Sequence, residues 1–382
     1  MSEAASHSKP KELRSNTSTT PSRSLWNQAW QRLKRNRAAL TSFVVLGLIG
    51  VASLAGPYMI GHPYDRVYPD YVRRDPSLSR QPSVVEIEPA AAKIAARMRG
   101  KIERLEISAS GATVQVVSER EFDERLLAYW ERSDLFGTPV VTARGDEGRR
   151  LTLSVPVKYQ RFLAGTDSNG RDLLARIFLG VMISFAVGIL ATAVALLIGV
   201  TYGATAGYVG GRVDDAMMRA VDVLYALPFI FFVIMLVVFF GRNFALMFIA
   251  IGAIEWLDMA RIVRGQTLSI RRQEYVAAAE ALGVTTFDII RRHVIPNTLG
   301  TVVVYMTLLI PKVILLESFL SFLGLGVQEP MTSLGVLISE GARGIQGSAY
   351  ALFFPAVALV AMLSALNFIG DGLRDAFDPK DR

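Results

Sequence analysis

The 382-residue chain contains no cysteine, which excludes a disulfide framework, a thiolate metal site and a cysteine nucleophile. Histidine is nearly absent as well. His7, His62 and His293 lie far apart, so no histidine metal centre is expected. There is no Gly-x-x-x-x-Gly-Lys-Ser/Thr pattern, and the chain is therefore not expected to bind ATP. Neither a Ser/His/Asp set nor paired carboxylates can be argued from spacing, which removes hydrolytic chemistry. What dominates is apolar surface. Hydrophobic residues make up 51% of the chain and fall in long charge-free blocks, the pattern of a polytopic membrane protein. The net charge of +7 does not point to nucleic acid, because the basic residues cluster beside those blocks.

A helix crossing the hydrocarbon core needs about 20 mostly apolar residues. Six stretches qualify: 43–60, 177–207, 223–241, 244–259, 301–325 and 350–370. The fourth carries Glu255 and Asp258 near one end, and the fifth carries Lys312 and Glu317. The first is preceded by a long basic tail with no clear cleavage site, unlike a signal peptide. That tail holds Lys9, Lys11, Arg14, Arg23, Arg32, Lys34, Arg35 and Arg37 against Glu3 and Glu12, which predicts a cytoplasmic N-terminus. The loop between the fourth and fifth spans carries Arg261, Arg264, Arg271, Arg272, Arg291 and Arg292. The last segment carries Arg374, Lys380 and Arg382, so both are expected inside too.

The chain thus divides into a cytoplasmic tail (1–36, its Ser/Thr-rich first part expected to be disordered), a first helix (37–61), an extracytoplasmic insert (62–164) and a transmembrane domain (165–382). The insert reads as a small α+β module. Residues 90–101 and 122–130 have helical spacing, and Leu151, Leu153, Val155 and Val157 alternate as a strand does. It serves either as a structured spacer or as a surface that contacts a substrate-delivery protein.

The loop 271–296 is the most informative stretch. Tyr275, Val276, Ala279 and Leu282 fit one face of an amphipathic helix, and Ala277, Ala278 and Ala281 form a small-residue face. Gly283 stops that helix, Thr285 with Asp288 caps another, and Pro296 precedes the fifth span. Two short helices with a sharp turn make a knob, although an ordinary interfacial helix is equally consistent with these features. Gly199, Gly203 and Gly207 form a ridge that permits close helix contact in lipid. Lys312 and Glu317 each cost about 2.5–3.5 kcal/mol if left in lipid, so they should face protein or water. They either line a translocation path or pair with neighbouring helices, with snorkelling a further option for Lys312. Asp222, Asp258 and Asp371 are read as ion-pair partners of arginines such as Arg219, Arg261 and Arg374.

Loop 271–296 resembles the EAA loop of ABC importer permeases: Ala277, Ala278, Ala279, Gly283, Ile295 and Pro296 match it in spacing. The family Glu falls on Ala277, where Glu274 or Glu280 could replace it, and the family Ile position is His293. Gly165-Thr-Asp-Ser-Asn-Gly-Arg-Asp is similar to a signature of dipeptide/oligopeptide permeases, as are Gly210-Gly211, Asp214, Met218-Arg219, Asp222 and Pro228. The stretch from Glu317 to Gly326, Asn367 to Asp375, Asp378 to Arg382, Arg23 to Trp26 and Asn36 to Ala39 resemble the C-type oligopeptide permease subunit. The resemblance covers about residues 23–65 and 163–382, and departs from the family in its long insert. It implies an all-α polytopic protein with six helices of the type I importer permease fold, in a bacterial inner membrane. It further implies a second permease subunit, two cytoplasmic ATPases holding MgATP, and an extracytoplasmic peptide-binding protein, with no cofactor on this chain. Glu274, Ala277, Ala278, Ala279, Glu280, Gly283, Arg291 and Pro296 would then meet the ATPase. The cargo would be oligopeptides, with dipeptides, nickel or another small solute as alternatives. An ion-coupled secondary transporter predicts broken-helix repeats, and a membrane-anchored sensor predicts a cytoplasmic output domain; neither shows in the sequence.

Overall fold

The computed structural model describes residues 25–108, 111–241 and 243–377. The readings on the Ser/Thr-rich tail, Arg23 and residues 378–382 lie outside them. Helix α1 (Leu25–Arg35) is followed by α2 (Arg37–Ile60), whose start is fixed by the Asn36 side chain accepting from the Ala39 amide at 3.1 Å. Gly61, at φ +73°, ends it.

The insert comes next. Helix α3 (Val84–Arg97) leads into strands β1 (Gly100–Ile107) and β2 (Gly111–Ser118); a 3₁₀ turn then runs into α4 (Ala128–Glu131). Strands β3 (Val140–Gly145) and β4 (Arg150–Pro156) complete an antiparallel sheet of order β1-β2-β4-β3. Alternation along β4 buries Leu151, Leu153 and Val155 against Ile87, Ala91 and Ile94 of α3, with Trp130 and Phe136 closing the core. Two expectations change here. The helix predicted over 90–101 starts earlier and stops at Arg97, because Arg99 takes positive φ and Gly100 opens a strand. The helix predicted over 122–130 is one 3₁₀ turn and one α turn, which is enough to bury Phe122 and Trp130.

Helix α5 (Leu173–Val209) begins at an Asp172 cap and runs 37 residues, roughly 55 Å at 1.5 Å per residue. After it come α6 (Gly211–Ala226), α7 (Phe229–Phe240), α8 (Phe244–Ile270), α9 (Glu274–Ala281), α10 (Thr286–Ile289), a π turn, α11 (Ile295–Phe322), α12 (Leu334–Arg343) and α13 (Tyr350–Phe377). Among the described residues, four helices are long and apolar enough to cross a membrane: α2, α5, the α10–α11 rod and α13. The block 223–241 is not one helix, as expected, but two that meet at 84°. Pro228 supplies no amide and drives Leu227 to extended backbone, so α6 stops there. At 12 residues, α7 alone spans only about 18 Å. Helix α8 is long enough at 27 residues but carries Glu255, Asp258, Arg261 and Arg264 in its second half.

Helices α5 and α8 meet backbone to backbone. A Cβ on Gly199, Gly203 or Gly207 would lie 2.8, 2.3 or 2.8 Å from the carbonyl oxygen of Trp256, Ala260 or Arg264. From the other side, a Cβ on Gly252 would lie 2.9 Å from the Ala191 oxygen. Small residues four apart make one ridge, and that ridge lets the two backbones approach this closely. Gly203→Ile should therefore destabilise by about 1–3 kcal/mol, the usual cost of overpacking. Thermal unfolding in detergent measures this, with Gly265→Ala as control, since nothing lies within 4 Å of a Cβ there. Equal midpoints for the two variants would contradict the contact.

Candidate functional site

Helix α9 and its sequel form a knob on the α5–α8 pair. Val276 and Ala279 bury against Ala204 and Tyr208 of α5 and Met259 and Val263 of α8, and Ile289 joins the same cluster. The turn between α9 and α10 is a complete Schellman motif. Gly283 N–H donates to Glu280 O at 3.0 Å, and Val284 N–H to Ala279 O at 3.1 Å, with Gly283 at φ +79°. Thr285 Oγ1 then accepts from the Asp288 amide at 3.2 Å to start α10. The buried face is narrower than the sequence predicts. Tyr275 is half-exposed and Leu282 is 83% exposed, because Leu282 already lies past the last helical residue. Ala277, Ala278 and Ala281 face outward, so the knob presents small residues flanked by exposed Leu282 and Phe287.

The polar residues of the loop divide by direction. Glu280 accepts from the Tyr208 hydroxyl at 2.7 Å, which ties α9 to α5. Glu274, in the first turn of α9, and Arg291, in the π turn, are exposed. Pro296 lies just past the π turn, inside the continuous α10–α11 rod, where it leaves the helical ladder without one amide. Beneath the knob, Arg264 holds Asp214 of α6 through two bonds of 2.5 and 2.7 Å.

Lys312 of α11 donates to Glu255 at 2.8 Å and Asp258 at 3.1 Å, both on α8. Its side chain remains half-exposed while Glu255 is buried. Asp258 thus pairs with Lys312, and Asp222 pairs with Arg261 at 2.7 Å. Glu317 differs. It is 0% exposed, accepting from Ser184 of α5 at 3.2 Å and Ser321 at 2.7 Å. Ser184 Oγ in turn accepts from the Leu334 amide at 3.1 Å, so the carboxylate joins α11, α5 and the start of α12. Lys312 therefore keeps an open face and Glu317 is enclosed by protein.

At the opposite end from the knob, residues 165–176 form a clamp. Asp167 accepts from the Asn169 and Arg171 amides at 2.8 and 2.9 Å and from the Arg171 and Arg176 guanidiniums at 2.7 and 2.5 Å. Arg171 reaches Glu329 at 2.9 Å, and the buried Arg176 reaches Glu340 of α12 at 2.6 Å. Gly165 and Gly170, at φ +79° and +80°, sit where a Cβ would meet the Arg74 and Tyr68 oxygens of the insert at 2.5 and 2.2 Å. The sequence signals the local motif, but Glu329, Glu340, His62 and Gln160 arrive from distant segments and carry no local pattern.

His62 is the insert's side of the clamp. Nδ1 faces Asp172 Oδ2 at 2.6 Å and Nε2 faces Gln160 Oε1 at 2.7 Å. Two acceptors favour the doubly protonated ring. The Asp172 hydrogen bond raises the His62 pKa above its ordinary 6.5, burial opposes that, and Gln160 adds to the rise. A raised folded-state pKa contributes stability fully below the unfolded value, and this contribution fades as pH rises through the folded one. The unfolding midpoint should therefore fall as pH is raised from 6 through the raised value, and His62→Gln should flatten that fall. An unchanged pH slope in the variant would refute the link.

Comparison with known proteins follows this geometry. Residues 199–382 match the family described as binding-protein-dependent transport system inner membrane component, and residues 24–82 match the N-terminal TM domain of oligopeptide transport permease C. The chain is 58% identical over 218 residues to the oligopeptide transport system permease protein OppC of Escherichia coli (strain K12), covering 57% of this chain and 72% of that protein. It is 48% identical over 219 residues to the dipeptide transport system permease protein DppC of Bacillus subtilis (strain 168), covering 57% and 68%. Of solved structures, it is similar to a chain of the MetNI methionine ABC transporter in an inward-facing conformation, at 19% identity and TM-score 0.45, covering 53% of this chain and 96% of that one. The chain belongs to the family of inner membrane components of binding-protein-dependent transport systems.

Proposed function

We propose that this chain is the permease subunit of an ATP-driven importer of oligopeptides, working beside a second permease, two cytoplasmic ATPases that hold MgATP, and an extracytoplasmic peptide-binding protein. The 58% identity to an oligopeptide permease carries the cargo. The exposed knob of α9 and α10 carries the coupling. In this reading the α6–α7 pair and α8 complete six crossings, and both termini and the knob face the cytoplasm, as the basic residues in the short loops require. The charges in the second half of α8 are tolerated because Lys312, Asp214 and Asp222 neutralise them.

The mechanism follows from what the knob touches. Ala277, Ala278 and Ala281 let a partner approach the α9 backbone, while Leu282 and Phe287 offer apolar anchors. Glu280 is engaged with Tyr208, so Glu274 is the carboxylate left to stand in for the family Glu that Ala277 replaces. Motion imposed on the knob passes through Val276 and Ala279 into α5 and α8, and through the π turn into α11, which carries Lys312. ATP binding to the partners shifts the population between inward- and outward-facing states by its preference for one of them. A dipeptide cargo is the second reading, favoured by the 48% identity to a dipeptide permease; competition between labelled di- and tetrapeptides separates the two.

Uptake of a labelled tetrapeptide by cells with and without the gene is the test. Loss of uptake on deletion, restored by the intact gene, is expected. Gly283→Asp should abolish uptake while leaving membrane insertion intact, since any side chain at φ +79° strains the Schellman turn and Asp adds a charge to the exposed knob. Glu274→Ala should lower it about tenfold or less, as the loss of one charged contact does. Normal uptake by Gly283→Asp would sink the coupling role.

A further inference from the structure

The apolar side chains exposed on the insert are not spread evenly. Leu78, Val84, Val85, Tyr159 and Leu163 all come from two short segments, 77–85 and 159–163. These segments run side by side. Gln81 N–H donates to Gln160 O at 2.8 Å, Gln160 N–H returns to Gln81 O at 2.7 Å, and Ser77 N–H reaches Phe162 O at 3.0 Å. Extended backbone sends alternate side chains to opposite sides. Gln160 and Phe162 turn inward, so Tyr159, Arg161 and Leu163 turn out. Leu78 and Val85 are 84% and 83% exposed. A clustered apolar patch of this kind marks a contact surface.

A separate set of contacts fixes where the patch sits. Gln160 Oε1 lies 2.7 Å from His62 Nε2, and His62 Nδ1 meets Asp172, the cap of α5. His62 follows the last residue of α2 by two positions, at most about 7 Å of chain. The headgroup layer of a bilayer is about 5–8 Å deep on each side. Ala164, next to Leu163, packs with Leu173 and Ile177 of α5 in the helix layer. The ribbon is therefore held where two membrane-crossing helices, α2 and α5, reach the same surface of the membrane. Tyr58 and Met59 are 89% and 84% exposed, so α2 stays apolar and uncovered up to its last turn. Arg80 and Arg161 flank the apolar side chains; both are exposed, and neither has an ion pair among the described residues.

We propose that this ribbon rests in the headgroup layer of the membrane beside the end of α2. Leu78, Val84, Val85 and Leu163 enter the acyl boundary, Tyr159 sits at headgroup level, and Arg80 and Arg161 meet lipid phosphates. Apolar side chains, an amphipathic ring and unpaired arginines together are what an interfacial segment carries. The insert is then anchored to the bilayer as well as to the clamp. This requires only that α2 and α5 cross the membrane, so it stands or falls apart from the importer reading.

Fluorescence quenching on the full-length chain in vesicles of phosphatidylethanolamine and phosphatidylglycerol tests this. A nitrobenzoxadiazole probe is placed on Val85→Cys, on Leu163→Cys, or on Glu119→Cys at the far end of β4, where Ser118 N–H meets Arg149 O. All three positions are exposed, and the unfolding midpoint checks that each variant folds. Probes at 85 and 163 should lose about half or more of their emission to lipids doxyl-labelled just below the headgroup, the depth at which interfacial segments sit. Iodide in the water should quench the probe at 119 and largely spare the other two. Arg80→Gln with Arg161→Gln should raise iodide access at 163 about twofold or more, as expected when cations leave an anionic surface. Iodide access at 85 and 163 equal to that at 119, without doxyl quenching, overturns the proposal and leaves the patch in water. Shielding from both quenchers overturns it in favour of a second copy of the chain. Doxyl quenching that disappears in the assembled transporter also overturns it, because a partner subunit then covers the patch. Unchanged iodide access in the arginine variant removes the phosphate contact.

Discussion

The contact between α5 and α8 is the constraint on which the rest depends. Four glycines, Gly199, Gly203, Gly207 and Gly252, remove the side chains that would hold these helices apart. Lipid gives no hydrophobic push between helices, so close van der Waals packing has to hold them together. With the two backbones in register, α8 presents Glu255 and Asp258 to Lys312 of α11 and Arg264 to Asp214 of α6. The end of the same pair forms the seat into which Val276 and Ala279 of α9 are packed. The knob is thus packed directly onto the end of the helix pair.

The opposite end is held by charge instead of close packing. Asp167 gathers two arginines, and those arginines reach Glu329 and Glu340, so the start of α5 is tied to both ends of the segment before α13. His62 and Asp172 add the insert to the same knot. Buried charges of this kind stabilise little unless every one is matched, but breaking one leaves its partner stranded. Glu317, with Ser184 and Ser321, extends the network into the helix layer. The chain therefore has an apolar glycine joint at one end and a polar clamp at the other, with Lys312 between them.

Much of this was legible in the residues. The long apolar blocks, the glycine ridge, the Gly283 stop and the Thr285 cap are local patterns, and local patterns survive into structure. The break at Pro228 was written in the sequence too, but hydropathy alone hid it, since both sides of the proline are equally apolar. Leu282 turns outward where helical periodicity predicts burial, because the helix ends one residue earlier, at Ala281. The partners of Arg171 and Arg176 lie some 160 residues away in sequence, and no single-sequence pattern links such positions.

Because the chain has no native cysteine, single thiols report on it cleanly. The most direct measurement is cross-linking from Leu282→Cys at the knob tip, with Leu78→Cys on the insert as control; both positions are more than four-fifths exposed. In membranes that contain the assembled transporter, Leu282→Cys should cross-link to the ATPase chain and Leu78→Cys should not. Absence of the ATPase adduct at Leu282→Cys, or its appearance at Leu78→Cys, would show that force does not enter this permease through the knob.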